Sequence, residues 1–142
     1  MHTTTTAPHA QAPTTAGIAT ALTELVLDRE LTVEQAVSRH FTDDYRQCTD
    51  GVWCDRAEFV DHIEHLRTVV AGGEVEVHEE LRDGARYADR HTVRLVKTDG
   101  GRVRTRVYLF AEVAADGRFH RIDEATVMLD GAEADRGLGA AR

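Results

Sequence analysis

A chain of 142 residues, 42% hydrophobic and 30% charged, has the length for one domain and the apolar content for a real core. Its 17 Lys and Arg against 25 Asp and Glu leave a net charge of −8, which argues against a general nucleic-acid binder and equally against docking on an anionic membrane. There is no run of 18 apolar residues, no basic-then-apolar N-terminus and no disulfide framework in two cysteines, so a cytoplasmic protein is expected.

Residues 1–16 are Thr, Ala and Pro with no large apolar side chain after Met1, and are expected to form a disordered tail. Three helical patterns follow. Ile18, Leu22, Leu25 and Val26 share one helical face. Thr32 and Gln35 have capping-box spacing ahead of a Val33, Ala36, Val37, Phe41 stripe. Asp55 and Glu58 start the third pattern, whose stripe is Phe59, Ile63, Leu66 and Val70, and Gly72-Gly73 is expected to end that helix.

Beyond Gly73 the period becomes two. Asp83-Gly84, Asp99-Gly100 and Asp116-Gly117 divide residues 74–129 into four long strands, and Asp-Gly suits hairpin turns in which both central residues take positive φ. Sequential hairpins make an antiparallel meander. Asp50-Gly51 predicts a further small hairpin from Tyr45–Cys48 and Val52–Trp53. Residues 132–142 read as a flexible C-terminal tail, leaving 17–131 as the domain. The expected fold is α+β: three N-terminal helices packed on a curved four-stranded antiparallel sheet, plus the short hairpin, as a cone-shaped barrel with an open mouth.

Alternation assigns the inner face of the first three long strands. Val75, Val77 and Leu81 share a face, as do Tyr87, His91, Val93 and Leu95, and Val103, Val107, Leu109 and Ala111. The last strand stays open between a face with His120, Ile122, Glu124, Thr126 and Met128 and one with Phe119, Ala125, Val127 and Leu129.

The segments FTDDYRQCTDG, AEFVDHIEHLRTVV, DGARYADRHTVRLVKTDG and DGRFHRIDEATVMLDG carry a resemblance to the SnoaL-like domains of the nuclear transport factor 2-like superfamily. The similarity spans roughly residues 18–131 and includes Asp-Gly-Arg ahead of the last strand, with an acid seven positions past that Gly. The resemblance implies a homodimer built on the open sheet face. It also implies a general acid/base carboxylate on the last strand, which is Glu124 here, and so the Glu124 face as the inner one. This chain has Ile122 and Asp123 just before that acid, where many relatives read His or Trp.

A carboxyl in an apolar cone is pushed toward neutrality and can carry a proton. His91 on the neighbouring face could shuttle a proton or hold Glu124, and the phenols of Tyr45 and Tyr87 could donate to developing negative charge. Gln47, Trp53, His62, Ile122 and Met128 are expected substrate contacts. Asp61, His62 and His65 lack a third ligand at suitable spacing, so no metal and no cofactor are expected. Cys48 and Cys54 flank the Asp50-Gly51 turn and could meet across it, though free thiols are the expectation in a reducing cytoplasm. The reading is a small cofactor-independent enzyme acting on an apolar small molecule by cyclisation, isomerisation, dehydration or epoxide opening. Its alternative is a non-catalytic dimeric domain of the same fold that binds a ligand or a protein.

Overall fold

The computed structural model describes residues 13–136 and 138. The elements run α1 (Ile18–Leu22), a π-helical stretch (Thr23–Leu27), α2 (Val33–His40), β1 (Phe41–Thr49), β2 (Val52–Asp55), α3 (Arg56–Val69), β3 (Val70–Asp83), β4 (Arg86–Lys97), β5 (Arg102–Val113), β6 (Phe119–Asp130) and a 3-10 turn (Glu133–Asp135). The strands form one six-stranded sheet in the order β2-β1-β6-β5-β4-β3. The expected antiparallel sheet of four strands plus a separate hairpin is therefore corrected. The hairpin joins the sheet, because β1 pairs in parallel with β6 and supplies partners for that strand's outer edge. The core lies between the inner sheet face and the helices, around Leu25, Val37, Phe41, Tyr45, Phe59, Ile63, Val107 and Phe119.

Capping sets α2 and α3. The Thr32 side chain accepts from the Gln35 amide and the Asp55 side chain from the Glu58 amide, each in a reciprocal box. The first helix departs from its α-helical reading after Leu22. The π winding puts Leu22 and Leu27, five apart, beside the same cavity, with Ile18, Ala21, Leu25 and Val26 buried. Arg67 of α3 satisfies two carbonyls of this winding and one of the turn that follows it. Its guanidinium donates to the backbone oxygens of Glu24 (3.0 Å), Leu25 (2.6 Å) and Leu31 (2.5 Å).

Gly72-Gly73 does not end α3, which stops at Val69. Both glycines lie in β3, where a side chain at Gly73 would sit 2.2 Å from the Arg94 carbonyl oxygen. Only the Asp50-Gly51 turn has positive φ at both residues (51° and 85°). At the other three turns between strands the glycine alone is left-handed.

Two bulges decide which side chains face inward. The register slips between Val77 and Glu79, so Leu81 pairs with Ala88 and turns outward, 61% exposed, against its expected inner place. Glu80 takes the inward position instead, opposite Asp89. A second slip at the start of β6 lets both Phe119 and Ile122 face the core. Ile122, Glu124 and Thr126 pair with Ala111, Leu109 and Val107 of the inner face of β5, which resolves the open choice in favour of the Glu124 face.

Residues 1–12 of the expected disordered tail lie outside the described residues, while residues 13–16 follow the surface, with the Thr15 carbonyl accepting from Arg82. The segment after β6, expected to lie loose, is tied down in its described part. Asp135 is buried, and its carboxylate accepts from Lys97 Nζ at 2.9 Å and from the Ala132 amide. Cys48 pairs with Trp53 and Cys54 with Gln47, so the two thiols point to opposite faces of the hairpin and form no disulfide with each other. Among the described residues no helix is long and apolar enough to cross a membrane.

Candidate active site

An apolar cavity opens between the helices and the inner sheet face. Leu22, Val26 and Leu27 wall it from the first helix, Phe59, Ile63 and Leu66 from α3, and Val75, Val93 and Leu95 from the sheet, with Leu138 closing one side. Its polar lining is Gln47, His62, Glu74, His91 and Glu124. The space is small, about 60 Å³. A dry cavity of about 150 Å³ takes a benzene ring, so this one admits a few waters or a ligand of a few heavy atoms until its walls part.

Strand alternation builds two polar rows that end at this cavity. The first runs along β1. Tyr45 donates its phenol proton to Gln47 Oε1, and Gln47 Nε2 donates to Thr49 Oγ1 (2.9 Å) and to Glu124 Oε2 (3.2 Å). Thr49 Oγ1 donates to the same Oε2 at 2.9 Å. These four groups are aligned because residues 45, 47 and 49 share one face of β1 and Thr49 is the register partner of Glu124. The turn beyond is clamped to β6. The Asp50 amide donates to the Glu124 carbonyl at 2.9 Å, and the Asp50 carboxylate accepts from the Thr126 amide (2.8 Å) and hydroxyl.

The second row runs along β4. His91 Nδ1 lies 2.8 Å from Asp89 Oδ1, and the Tyr87 hydroxyl is 3.3 Å from Asp89 Oδ2 and donates to Glu80 Oε2. The His91 and Asp89 side chains are 1% and 0% exposed. His91 and Glu124 are separated by β5, hence by about 10 Å of sheet, and both reach the cavity.

The electrostatics separate the two rows. Burial pushes the Glu124 carboxyl up to about 7. The Thr49 hydrogen bond and the His91 charge pull it down, and the Asp50 and Asp89 charges push it up further. The residue keeps some accessible surface where it meets the cavity, so this carboxyl is desolvated and still reachable. Burial also holds the Tyr45 phenol well above its ordinary value, as do the Glu124 and Cys54 charges. Tyr87 is raised by burial and by its bond to Glu80.

Of the residues singled out in the sequence, Glu124, His91, Gln47 and His62 line one cavity. The others lie elsewhere. Tyr45 is 1% exposed behind Gln47, packed against Phe41 and Phe59, so its hydroxyl serves the row and not the cavity. Tyr87 packs on Phe119, and its hydroxyl accepts from the Ile18 amide at 3.2 Å, tying α1 to the sheet away from the cavity. Trp53 is 43% exposed on the outer side, with the guanidinium of Arg46 4.6 Å and that of Arg121 5.6 Å from its ring. Ile122 is buried in the core. Met128 borders a surface groove with Asp50, Thr126 and Arg136. Asp89 and Thr49 were missed, although the step of two that selects Tyr87 with His91 and Tyr45 with Gln47 also selects both. Among the described residues no group of three or more His, Cys, Asp or Glu could hold a metal ion.

No family model matches the chain. An uncharacterised protein of the fission yeast Schizosaccharomyces pombe is 34% identical over 99 residues, which is 70% of this chain and 75% of that protein. Among solved structures, a SnoaL-like family protein from Agrobacterium tumefaciens, an isomerase by name, superposes with a TM-score of 0.56 at 15% identity, over 76% of this chain and 92% of its own. An epoxide hydrolase of the LEH-like type from M. tuberculosis gives 0.57 at 22% identity, over 77% and 81%. The chain therefore belongs to one family with the fission-yeast protein, and its fold is that of the SnoaL-like domains of the nuclear transport factor 2-like superfamily.

Proposed function

We propose that this chain is a small enzyme that moves a proton on an uncharged, largely apolar molecule, with Glu124 as the acid/base group. The observation that carries this reading is a carboxyl pushed up to about 7 inside an apolar cavity that it shares with His91. A group poised near neutral pH serves equally well as donor and acceptor, an effect of roughly 10²–10⁴-fold in rate. Two carboxylates, Glu74 and Glu124, and no Lys or Arg stand among the described lining residues, which disfavours an anionic ligand. Isomerisation, dehydration, cyclisation and epoxide opening all fit this donor set, and the likeness to an epoxide hydrolase and to an isomerase by name is consistent with it. No step calls for a metal or a cofactor.

A second copy of the chain would cover the outer sheet face, where Phe110, Leu81, Val127 and Tyr108 stand 72%, 61%, 50% and 44% exposed.

The test pairs a carboxyl NMR titration of Glu124 with turnover of a β,γ-unsaturated ketone, a β-hydroxy ketone and a small epoxide by the protein and by Glu124→Gln. A midpoint near 7 is expected, with turnover of one class falling about 10²–10⁴-fold in the variant. A midpoint near 4.5, the ordinary value, or full turnover by the variant, overturns the reading. The narrowness of the cavity favours the second reading, a non-catalytic dimeric ligand-binding domain, and binding of these compounds without turnover would select it.

A further inference from the structure

Asp89 is a buried carboxylate that the acid/base reading does not use. Its side chain is fully buried, and its ion-pair partner among the described residues is His91. The nearby guanidinium of Arg82 is engaged elsewhere, with Glu80 and the Thr15 carbonyl. A carboxylate is rarely buried without a specific partner, because leaving water costs it several kcal/mol. The geometry here supplies that partner in one orientation: Nδ1 of His91 at 2.8 Å from Oδ1. A carboxylate only accepts, so the proton of this bond belongs to Nδ1. In the neutral imidazole the other nitrogen then carries a lone pair.

We propose that Asp89 is a positioning residue that locks His91 as the Nδ1–H tautomer, so that Nε2 serves as the base of the cavity and Glu124 as the acid. This rests on the acid/base reading and divides its labour. The hydrogen bonds of Gln47 and Thr49 both end on Glu124 Oε2, so the acid form carries its proton on Oε1, the oxygen neither of them reaches. In the reaction, Nε2 takes a proton from a carbon of the ligand while Oε1 gives one to another ligand atom. The imidazolium then returns a proton to the Glu124 carboxylate through product or water, so no proton is gained or lost in a turnover. The result is a 1,3-proton shift, or elimination of water where the atom protonated is a hydroxyl oxygen. A lone carboxylate would have to do both tasks in turn.

The groups that face the pair are Tyr87 along β4, Glu80 from β3 behind the Tyr87 hydroxyl, and Glu124 across β5. The Tyr87 hydroxyl lies 3.3 Å from Oδ2, the oxygen away from His91, and gives its proton to Glu80, so it does not compete for Nδ1.

The decisive measurement is two-bond 15N–1H correlation NMR of the full chain labelled at histidine, with His91 assigned by the loss of its signals in His91→Gln. In the neutral form, Nδ1 is expected at the protonated, pyrrole-type position and Nε2 at the unprotonated, pyridine-type position. In Asp89→Asn, whose amide can also donate, the two positions should average or exchange. An Nε2–H tautomer or an averaged pair in the unmodified protein overturns the proposal. So does an imidazolium pattern that persists through pH 7 to 9, or an Asp89→Asn spectrum unchanged at His91. Should Asp89→Asn not fold, the spectrum of the unmodified protein decides alone. A purely structural Asp89 would leave the tautomer unspecified. If Glu124 titrates at its ordinary value while His91 shows the expected pattern, the acid/base reading fails and the role of Asp89 stands.

Discussion

The row on β1 and the row on β4 use the same geometry for opposite ends. Each is headed by a buried tyrosine, and each steps by two residues toward the cavity. On β1 the intermediates are a neutral amide and a hydroxyl, Gln47 and Thr49, and every proton points toward Glu124. On β4 the intermediate is the carboxylate of Asp89, which accepts from His91. The two donors to Glu124 do not offset its loss of water, so burial dominates and its carboxyl rises to about 7. A buried charge demands a countercharge or a donor, so Asp89 dictates what its neighbour must be. The difference between an amide and a carboxylate in the middle of a row thus separates a tunable acid from an oriented base.

The comparison breaks first at its charged member. Asp89→Ala leaves the Nδ1–H of the neutral His91 ring without its acceptor in a dry site, and should cost about 1–3 kcal/mol in urea unfolding. A loss below about 1 kcal/mol would mean that water already reaches the pair.

The next effect is pH-dependent. The folded Glu124 carboxyl, near 7, holds its proton more tightly than the unfolded one, near 4.5. Between those two values the unfolded chain ionises first, so the folded state loses about 1.4 kcal/mol per pH unit from this group. Its contribution is complete below 4.5 and is lost as pH rises through 7. Stability relative to Glu124→Gln should therefore fall by about 3 kcal/mol across the window and level off above it. A flat difference curve would mean that the carboxyl is solvated.

Removing the two phenols sharpens the contrast further. Tyr45→Phe strands the oxygen of Gln47 in the core and should cost about 1–3 kcal/mol. Tyr87→Phe should cost a similar amount, about 1–3 kcal/mol, because it strands the buried Ile18 amide, although water can replace the hydroxyl at Glu80, which is about one-third exposed. A loss well below about 1 kcal/mol at either position in thermal unfolding would mean that water reaches the stranded group. The smallest effect is at Thr49. Its hydrogen bond lowers the Glu124 value, so Thr49→Val should move the NMR midpoint of Glu124 above about 7, with little change in fold.

Much of the architecture was legible because it follows local rules. The capping spacings at Thr32 and Asp55 place the starts of α2 and α3. The Asp-Gly pairs mark the ends of the long strands, and alternation puts His91, Val103 and Val107 inward. The misreadings of strand faces at Leu81, Glu80 and Phe119 share one cause. All three are placed by single-residue bulges, and a slip of one residue reverses every later side chain. Asp89 escaped notice because a carboxylate inside an apolar strand face reads as an outward residue until its partner is known. Trp53 and Met128 look like cavity walls by size, yet their strand positions set them outside it.

By itself the sequence determined the period of each segment, its caps and turns, and the presence of a carboxyl, an imidazole and two phenols on strands. These depend on residues within a few positions of one another. Only the tertiary structure decided that β1 lies parallel to β6, that Thr49 meets Glu124, and that Asp89 stands behind His91 while Tyr87 stays outside the cavity. Those outcomes depend on register between strands distant in the chain and on how far each group is removed from water, and neither is a property of local sequence.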